Sequence, residues 1–159
     1  MAQTATRGAS PLYRDIAERT QGELYIGVVG PVRAGKSTFI SNFMQQLVLP
    51  LVPPGPRRER IVDELPQSGS GKTIMTTQPK FVPSDGAATV QLPDHASARV
   101  RMVDSVGYLV RGALGTQEGG DARMVSTPWS QQDMPFEEAA QLGTRKVMTD
   151  HATVGVVVT

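Results

Sequence analysis

The sequence predicts a three-layer α/β fold, a sheet with helices on both faces, and three observations carry that prediction. Gly30-Pro31-Val32-Arg33-Ala34-Gly35-Lys36-Ser37 lies between an apolar, β-rich run and a run with apolar residues at helical spacing. Asp104-Ser105-Val106-Gly107 stands at the end of a second β-rich run, and Thr153–Thr159 is β-branched throughout its centre, like a central parallel strand. The first segment matches Gly-x-x-x-x-Gly-Lys-Ser/Thr, the phosphate-binding P-loop. Together with the D-x-x-G motif it narrows the class to a P-loop NTPase of the GTPase-like branch rather than a kinase or helicase.

Residues 1–9 read as a disordered tail. Ser10-Pro11, a cap followed by proline at the first helical position, opens a helix through Thr20 that ends at Gly22. Leu24–Val29 is the first strand. After the glycine loop, Thr38–Val48 carries Phe39, Phe43 and Leu47 at helical spacing, with Ile40 and Met44 beside them, and the helix stops at Leu49-Pro50. Residues 50–57 read as a proline-rich linker without regular structure, and Arg57-Arg58-Glu59-Arg60 as a solvated charged face. Pro66–Pro83 is polar and not regular throughout. Ala88–Leu92 and Ala98–Val103 alternate as an antiparallel hairpin turning at Pro93-Asp94-His95, with the second strand ending at Asp104. Residues 112–134 form a long polar loop, and Trp129 within it reads as a packing anchor. Asp133, Pro135 and Glu137 then open a helix through about Asp150 as cap, first-turn proline and first-turn acid. The chain stops on a strand expected to be buried, so it is expected to be the N-terminal part of the domain, truncated after a central strand.

The 159 residues suit one domain with a sizeable core. The formal charge of +1 leaves no basic footprint for nucleic acid. Without cysteine there can be no disulfide, thiolate zinc site or thiol nucleophile. Neither a spanning apolar segment nor a signal-peptide core is visible, so a soluble intracellular protein is expected. His95 and His151 stand alone, with no ligand cluster around them.

The chemistry follows from the two motifs. Successive backbone N–H groups and a helix N-terminus cradle polyphosphate, Lys36 reaches the β/γ oxygens, and the Ser37 hydroxyl ligates Mg²⁺. Asp104 at its strand end serves the same metal, usually through water, and the Gly107 N–H senses the γ-phosphate. Between the motifs a switch segment should offer a threonine, and Thr73, Thr76 and Thr77 are the candidates. Gly69-Ser70-Gly71-Lys72-Thr73 imitates a second P-loop, but its first glycine would have to be Pro66 and no apolar strand precedes it. Tyr108 occupies the place of the water-orienting glutamine of Ras-like enzymes, so hydrolysis should be slow or organised differently.

From about Leu12 to Thr159 the chain resembles the N-terminal part of the stage IV sporulation protein A family. The segments that carry the resemblance include Asp15–Thr20, Tyr25–Gly30, Arg33–Ile40, Asp63–Ser68, Gly71–Thr77, Pro79–Pro83, Val103-Asp104, Val106–Tyr108, Thr127–Trp129, Glu138–Ala140 and Gly143–Val147. Asp63–Ser68 and Gly71–Thr77 are not generic P-loop features, which makes the match specific. The resemblance implies a translation-factor-related domain that binds and hydrolyses ATP with Mg²⁺. Hydrolysis drives self-assembly into a static homopolymer, the basement layer of the bacterial spore coat. By motif, Gly30, Arg33, Ala34, Gly35, Lys36, Ser37, Thr38 and Gly107 would hold ATP, Ser37 and Asp104 the metal, and Lys36, Asp104, Thr76 and Thr77 would serve catalysis. The implied setting is the mother-cell cytoplasm at the forespore surface. Other coat morphogenetic proteins, including a small membrane-bound anchor peptide, are the implied partners. Family members are longer, with further domains behind this one, and residues 1–10 and 50–57 look diverged. A GTPase switch and a non-catalytic nucleotide-binding scaffold are the alternatives, because the base-reading N-K-x-D motif would lie beyond the last strand present.

Overall fold

A computed structural model describes residues 18, 21–67, 78–91, 97–109 and 117–159. Strand β1 (Glu23–Val29) runs into the glycine loop and α1 (Lys36–Phe43), which continues through a wider turn at Met44–Val48 and a tight one at Leu49–Leu51. Helix α2 (Pro56–Glu64) and strands β2 (Lys80–Val82), β3 (Ala88–Gln91) and β4 (Ser97–Asp104) follow. Two short ladders, β5 (Gln117–Glu118) with β6 (Asp121–Ala122) and β7 (Met124–Val125) with β8 (Met134–Pro135), precede α3 (Phe136–Lys146). The last turn of α3 widens over Val147–His151 and leads into β9 (Val154–Val157).

The main sheet has the order β2-β4-β1-β9, with β3 also on β4. β1 lies between β4 and β9 and is parallel to both, pairing Val28 with Asp104 on one side and Val156 on the other. β2 and β3 share the far edge of β4, antiparallel to it, so Lys80 lies opposite Asp104 and Gln91 opposite Ser97. This mixed sheet with its helices is an α/β architecture. The expected β3–β4 hairpin forms, and its turn lies outside the described residues.

Strand alternation divides the core between the two faces. On one face Ile26, Val28, Val100, Met102, Val82 and Val90 pack with Ile40, Met44 and Val48 of the first helix and Ile61 of α2. On the other, Val29 and Val103 pack with Val147 from the end of α3, flanked by Tyr25 and Phe81. Gly27 explains how closely that second layer approaches. A Cβ there would stand 2.7 Å from Ala152 Cβ and 2.9 Å from Val147 Cγ1. Gly27→Ala should therefore lower stability by about 1–3 kcal/mol, from overpacking between sheet and helix. A urea midpoint equal to that of the parent protein would show that the layer is not this close.

Several sequence expectations are corrected. Residues 50–57 are not wholly irregular, because Pro56 starts α2 at the position where its missing N–H costs nothing. The Arg57–Arg60 segment is thus helical, tied by Arg57 and Arg60 to Asp85. In the first helix the buried stripe is Lys36, Ile40, Met44 and Val48, and Leu47 is 58% exposed. The expected loop at 112–134 carries the two short ladders. Asp133 does not cap α3, whose first turn follows Pro135 with no side-chain cap. Among the described residues β9 has β1 as its one neighbour, and Val154 and Val157 are exposed. Val156 and Val158 pack against the core. Residues 1–9, the turn at 93–95 and all of the expected 10–20 helix except Glu18, Thr73, Thr76 and Thr77, and the 69–73 segment, lie largely or wholly outside the described residues.

Candidate active site

The register of β1 and β4 makes the site. Val28 pairs with Asp104, so the loop leaving β1 and the segment leaving β4 emerge together from the same end of the sheet. They are then stitched to each other. Tyr108 N–H donates to the Gly30 carbonyl at 3.2 Å, and Val32 N–H donates to the Tyr108 carbonyl at 2.9 Å. The buried Ser105 hydroxyl donates to the Val28 carbonyl at 2.8 Å, fixing the residue next to Asp104. Within the loop, Ala34 N–H donates to the Pro31 carbonyl at 3.1 Å, and Phe39 N–H closes the first turn of α1 on Gly35 at 2.9 Å.

Lys36 occupies the first position of the buried α1 stripe, one turn ahead of Ile40. Helical periodicity therefore buries it at the sheet end, 5% exposed, with its ammonium donating to the Pro31 carbonyl at 2.7 Å. Burial pulls its pKa below the ordinary lysine value, and the charge of Asp104 acts against that fall. Ser37 is next in sequence, and its hydroxyl donates to Asp104 Oδ2 at 3.4 Å. The other carboxylate oxygen, Oδ1, is buried with no hydrogen-bond partner among the described residues. Burial pushes the Asp104 carboxyl up, against the opposing pull of Lys36, the Ser37 hydroxyl and Lys80.

This donor set suits a hard cation. A carboxylate oxygen without a partner costs free energy unless something charged or protic meets it, and carboxylate and hydroxyl oxygens are the ligands Mg²⁺ selects. The N-terminus of α1 has no side-chain cap and no acidic residue in its first turn. Its N–H groups are therefore of the right polarity for an anion. Charge, hydrogen-bond donors and a hard oxygen pair thus converge at one end of the sheet, which is the combination a metal–polyphosphate requires.

Gly107 completes the junction. It stands at φ 96°, and a Cβ would come 2.5 Å from the Gly30 carbonyl oxygen and collide with the Lys36 ammonium. Gly107→Ala should cost about 1–3 kcal/mol and displace Lys36 from Pro31. An unchanged unfolding midpoint, with Lys36 resonances unmoved, would contradict that geometry.

The structure brings together Gly30, Ala34, Gly35, Lys36, Ser37, Asp104 and Gly107, with Arg33 exposed on the loop and Thr38 exposed in the first turn of α1. Thr76 and Thr77 are not among the described residues. Sequence reasoning missed Pro31 as the acceptor for Lys36, Ser105 as the strut under Asp104, and the main chain of Tyr108 as the clamp on the loop. Carbonyl and main-chain roles leave no side-chain signature, but Ser105 inside D-x-x-G could have been suspected. His151 lies at the end of α3 with its ring edge-on to Phe81, centroids 5.4 Å apart. No helix among the described residues is long and apolar enough to cross a membrane.

Fold and site together define a mixed α/β domain with a glycine loop, a buried lysine and a hydroxyl–carboxylate pair at one end of its parallel strands. The particular family follows from comparison. Residues 8–159 match the family model described as stage IV sporulation protein A, ATPase domain, and the chain belongs to that family. It is 60% identical over 147 residues to the stage IV sporulation protein A of Clostridioides difficile strain 630, covering 92% of this chain and 30% of that protein. Identity is 53% to the protein of the same name from Bacillus subtilis strain 168 and 51% to that from Bacillus anthracis, each over 148 residues, 93% of this chain and 30% of the relative. The chain thus spans about 30% of the length of these curated relatives. No solved structure matches it.

Proposed function

We propose that this domain binds ATP with Mg²⁺ on the Gly30–Ser37 loop and hydrolyses it, within a translation-factor-related P-loop fold. The observation that carries the reading is the buried, unpartnered Asp104 Oδ1 beside the Ser37 hydroxyl, at the end of the sheet where Lys36 is buried. The N–H groups of Arg33, Gly35, Lys36, Ser37 and Thr38, with the Lys36 ammonium, bind and orient the phosphates, and Gly107 keeps that ammonium in place. Ser37 and Asp104 hold Mg²⁺, which when bound offsets phosphate charge and helps to stabilise the leaving group. The names of the relatives tie the domain to sporulation.

In this reading hydrolysis drives self-assembly into the basement layer of the spore coat, on the mother-cell side of the forespore surface. Further copies of the chain, other coat morphogenetic proteins and a membrane-bound anchor peptide are the partners. Thr76 and Thr77 serve the γ-phosphate as the switch threonines of the reaction. The test uses the full-length protein with Mg·ATP, Mg·GTP and Mg·ADP, reading phosphate release and sedimentable polymer. ATP alone should support both. GTP turnover without assembly would favour a switch, and binding without turnover a scaffold. Replacing Thr76 and Thr77 with alanine should slow hydrolysis and block assembly while leaving ATP affinity within about threefold. Equal loss of binding and hydrolysis would make them structural loop residues.

A further inference from the structure

We infer that Arg33 is a catalytic residue, its guanidinium meeting the oxygens of the terminal phosphate as that group passes to water. This rests on the site reading above and assigns the side chain a role that the loop's main-chain cradle does not need.

The first observation is backbone conformation. The loop takes positive φ at Gly30 (151°), Arg33 (66°) and Gly35 (96°). Two of those positions are glycine, which adopts such angles freely, whereas Arg33 holds a Cβ in the left-handed region. Among the described residues the only other non-glycine at positive φ is Gln21, in the turn before β1. A disfavoured conformation inside a site points to a side chain kept for what it does.

The second observation is the side chain itself. Both neighbours are anchored, Val32 N–H to the Tyr108 carbonyl and Ala34 N–H to the Pro31 carbonyl. The Arg33 Cα is therefore fixed, yet its side chain is exposed and makes no hydrogen bond, ion pair or ring contact with any described residue. Lys36, the loop's other cation, is buried and held. None of the five guanidinium donors of Arg33 is taken by a described residue, and their fork fits two phosphate oxygens at once.

The reaction creates a need for such a group. A water oxygen bonds to the γ-phosphorus and the bond from that phosphorus to the β–γ bridging oxygen breaks. Its electron pair leaves with ADP, and the water proton goes to solvent. Negative charge builds on the bridging oxygen and shifts over the γ-oxygens, and Tyr108, after Gly107, offers no charge to meet it. Arginines that meet a transferring phosphoryl group raise turnover by about 10³–10⁵-fold in known phosphoryl-transfer enzymes.

The test compares Arg33→Gly, Arg33→Lys and Lys36→Ala in the full-length protein, measuring kcat, KM for ATP and thermal melting. Arg33→Gly should lower kcat at least about tenfold with KM within about threefold and little change in melting temperature, because relief of backbone strain is offset by the greater freedom of glycine in the unfolded chain. Arg33→Lys should recover part of the lost kcat. Parent-like kcat in Arg33→Gly, or a loss carried by KM alone, overturns the proposal. Lys36→Ala separates the two levels. If it binds and turns over ATP normally, the site reading itself fails, whereas if it loses both while Arg33→Gly is unimpaired, only the role of Arg33 fails.

Discussion

Lys36→Ala should reduce ATP affinity or turnover of the full-length protein at least about tenfold, since a charge-assisted contact to phosphate is worth about 1.5–3 kcal/mol. The structure adds a reason for the effect to be large. Lys36 heads the buried stripe of α1 and donates to the Pro31 carbonyl, so its ammonium is positioned by the fold rather than by the ligand. Burial already works against its charge. A polyphosphate beside it should restore an ordinary or raised lysine pKa, and that stabilisation counts towards binding. Equilibrium titration with ATP, with and without Mg²⁺, measures the loss. Parent-like binding and turnover in the variant would remove the Gly30–Ser37 loop from consideration as the phosphate site.

Asp104→Asn should lower Mg²⁺-dependent turnover by about 10- to 100-fold while nearly preserving shape. The amide keeps an acceptor for Ser37 but cannot supply the charged oxygen that Oδ1 presents. A pH signature accompanies the variant. Burial raises the Asp104 carboxyl above the usual aspartate value of 3.8, so the folded protein holds this proton more tightly than the unfolded chain does. The stability contributed by this group is fully present below pH 3.8 and is lost as pH rises through the raised folded pKa. Urea unfolding from about pH 3 to about pH 7 should show that decline in the parent protein and not in Asp104→Asn. Mg²⁺ with nucleotide requires the ionised carboxylate, so its stabilising effect should weaken as pH falls into the same range. Identical pH profiles for the two proteins would place Asp104 in a solvated setting and contradict the buried-ligand geometry.

Much of the fold was legible because its signals are local. Strand β1, the glycine loop and α1 succeed one another within a few residues, and each carries its own mark: β-branched apolar residues, glycines, and apolar residues every three or four positions. The β3–β4 hairpin was legible for the same reason, as two alternating runs a short turn apart. α2 was not, because prolines and charges mask a helix whose one fully buried residue is Ile61. Nor was β2, which is three residues long and exists only because the far edge of β4 offers it partners. β9 was legible as a β-branched run, and it forms a strand parallel to β1.

By itself the sequence determined the α/β class, the identity of Lys36, Ser37 and Asp104 as candidate site residues, and the family. Spacing within one short segment and the chemistry of individual side chains suffice for those. Only the tertiary structure decided that Ser37 meets Asp104 at 3.4 Å across a gap of 67 residues, that Asp104 keeps one buried oxygen without a partner, and that the main chain of Tyr108 clamps the loop. These depend on the parallel register that sets Val28 against Asp104. Such a register comes from burying both faces of the sheet at once, between α1 and α2 on one side and the end of α3 on the other, and no local stretch of sequence encodes it.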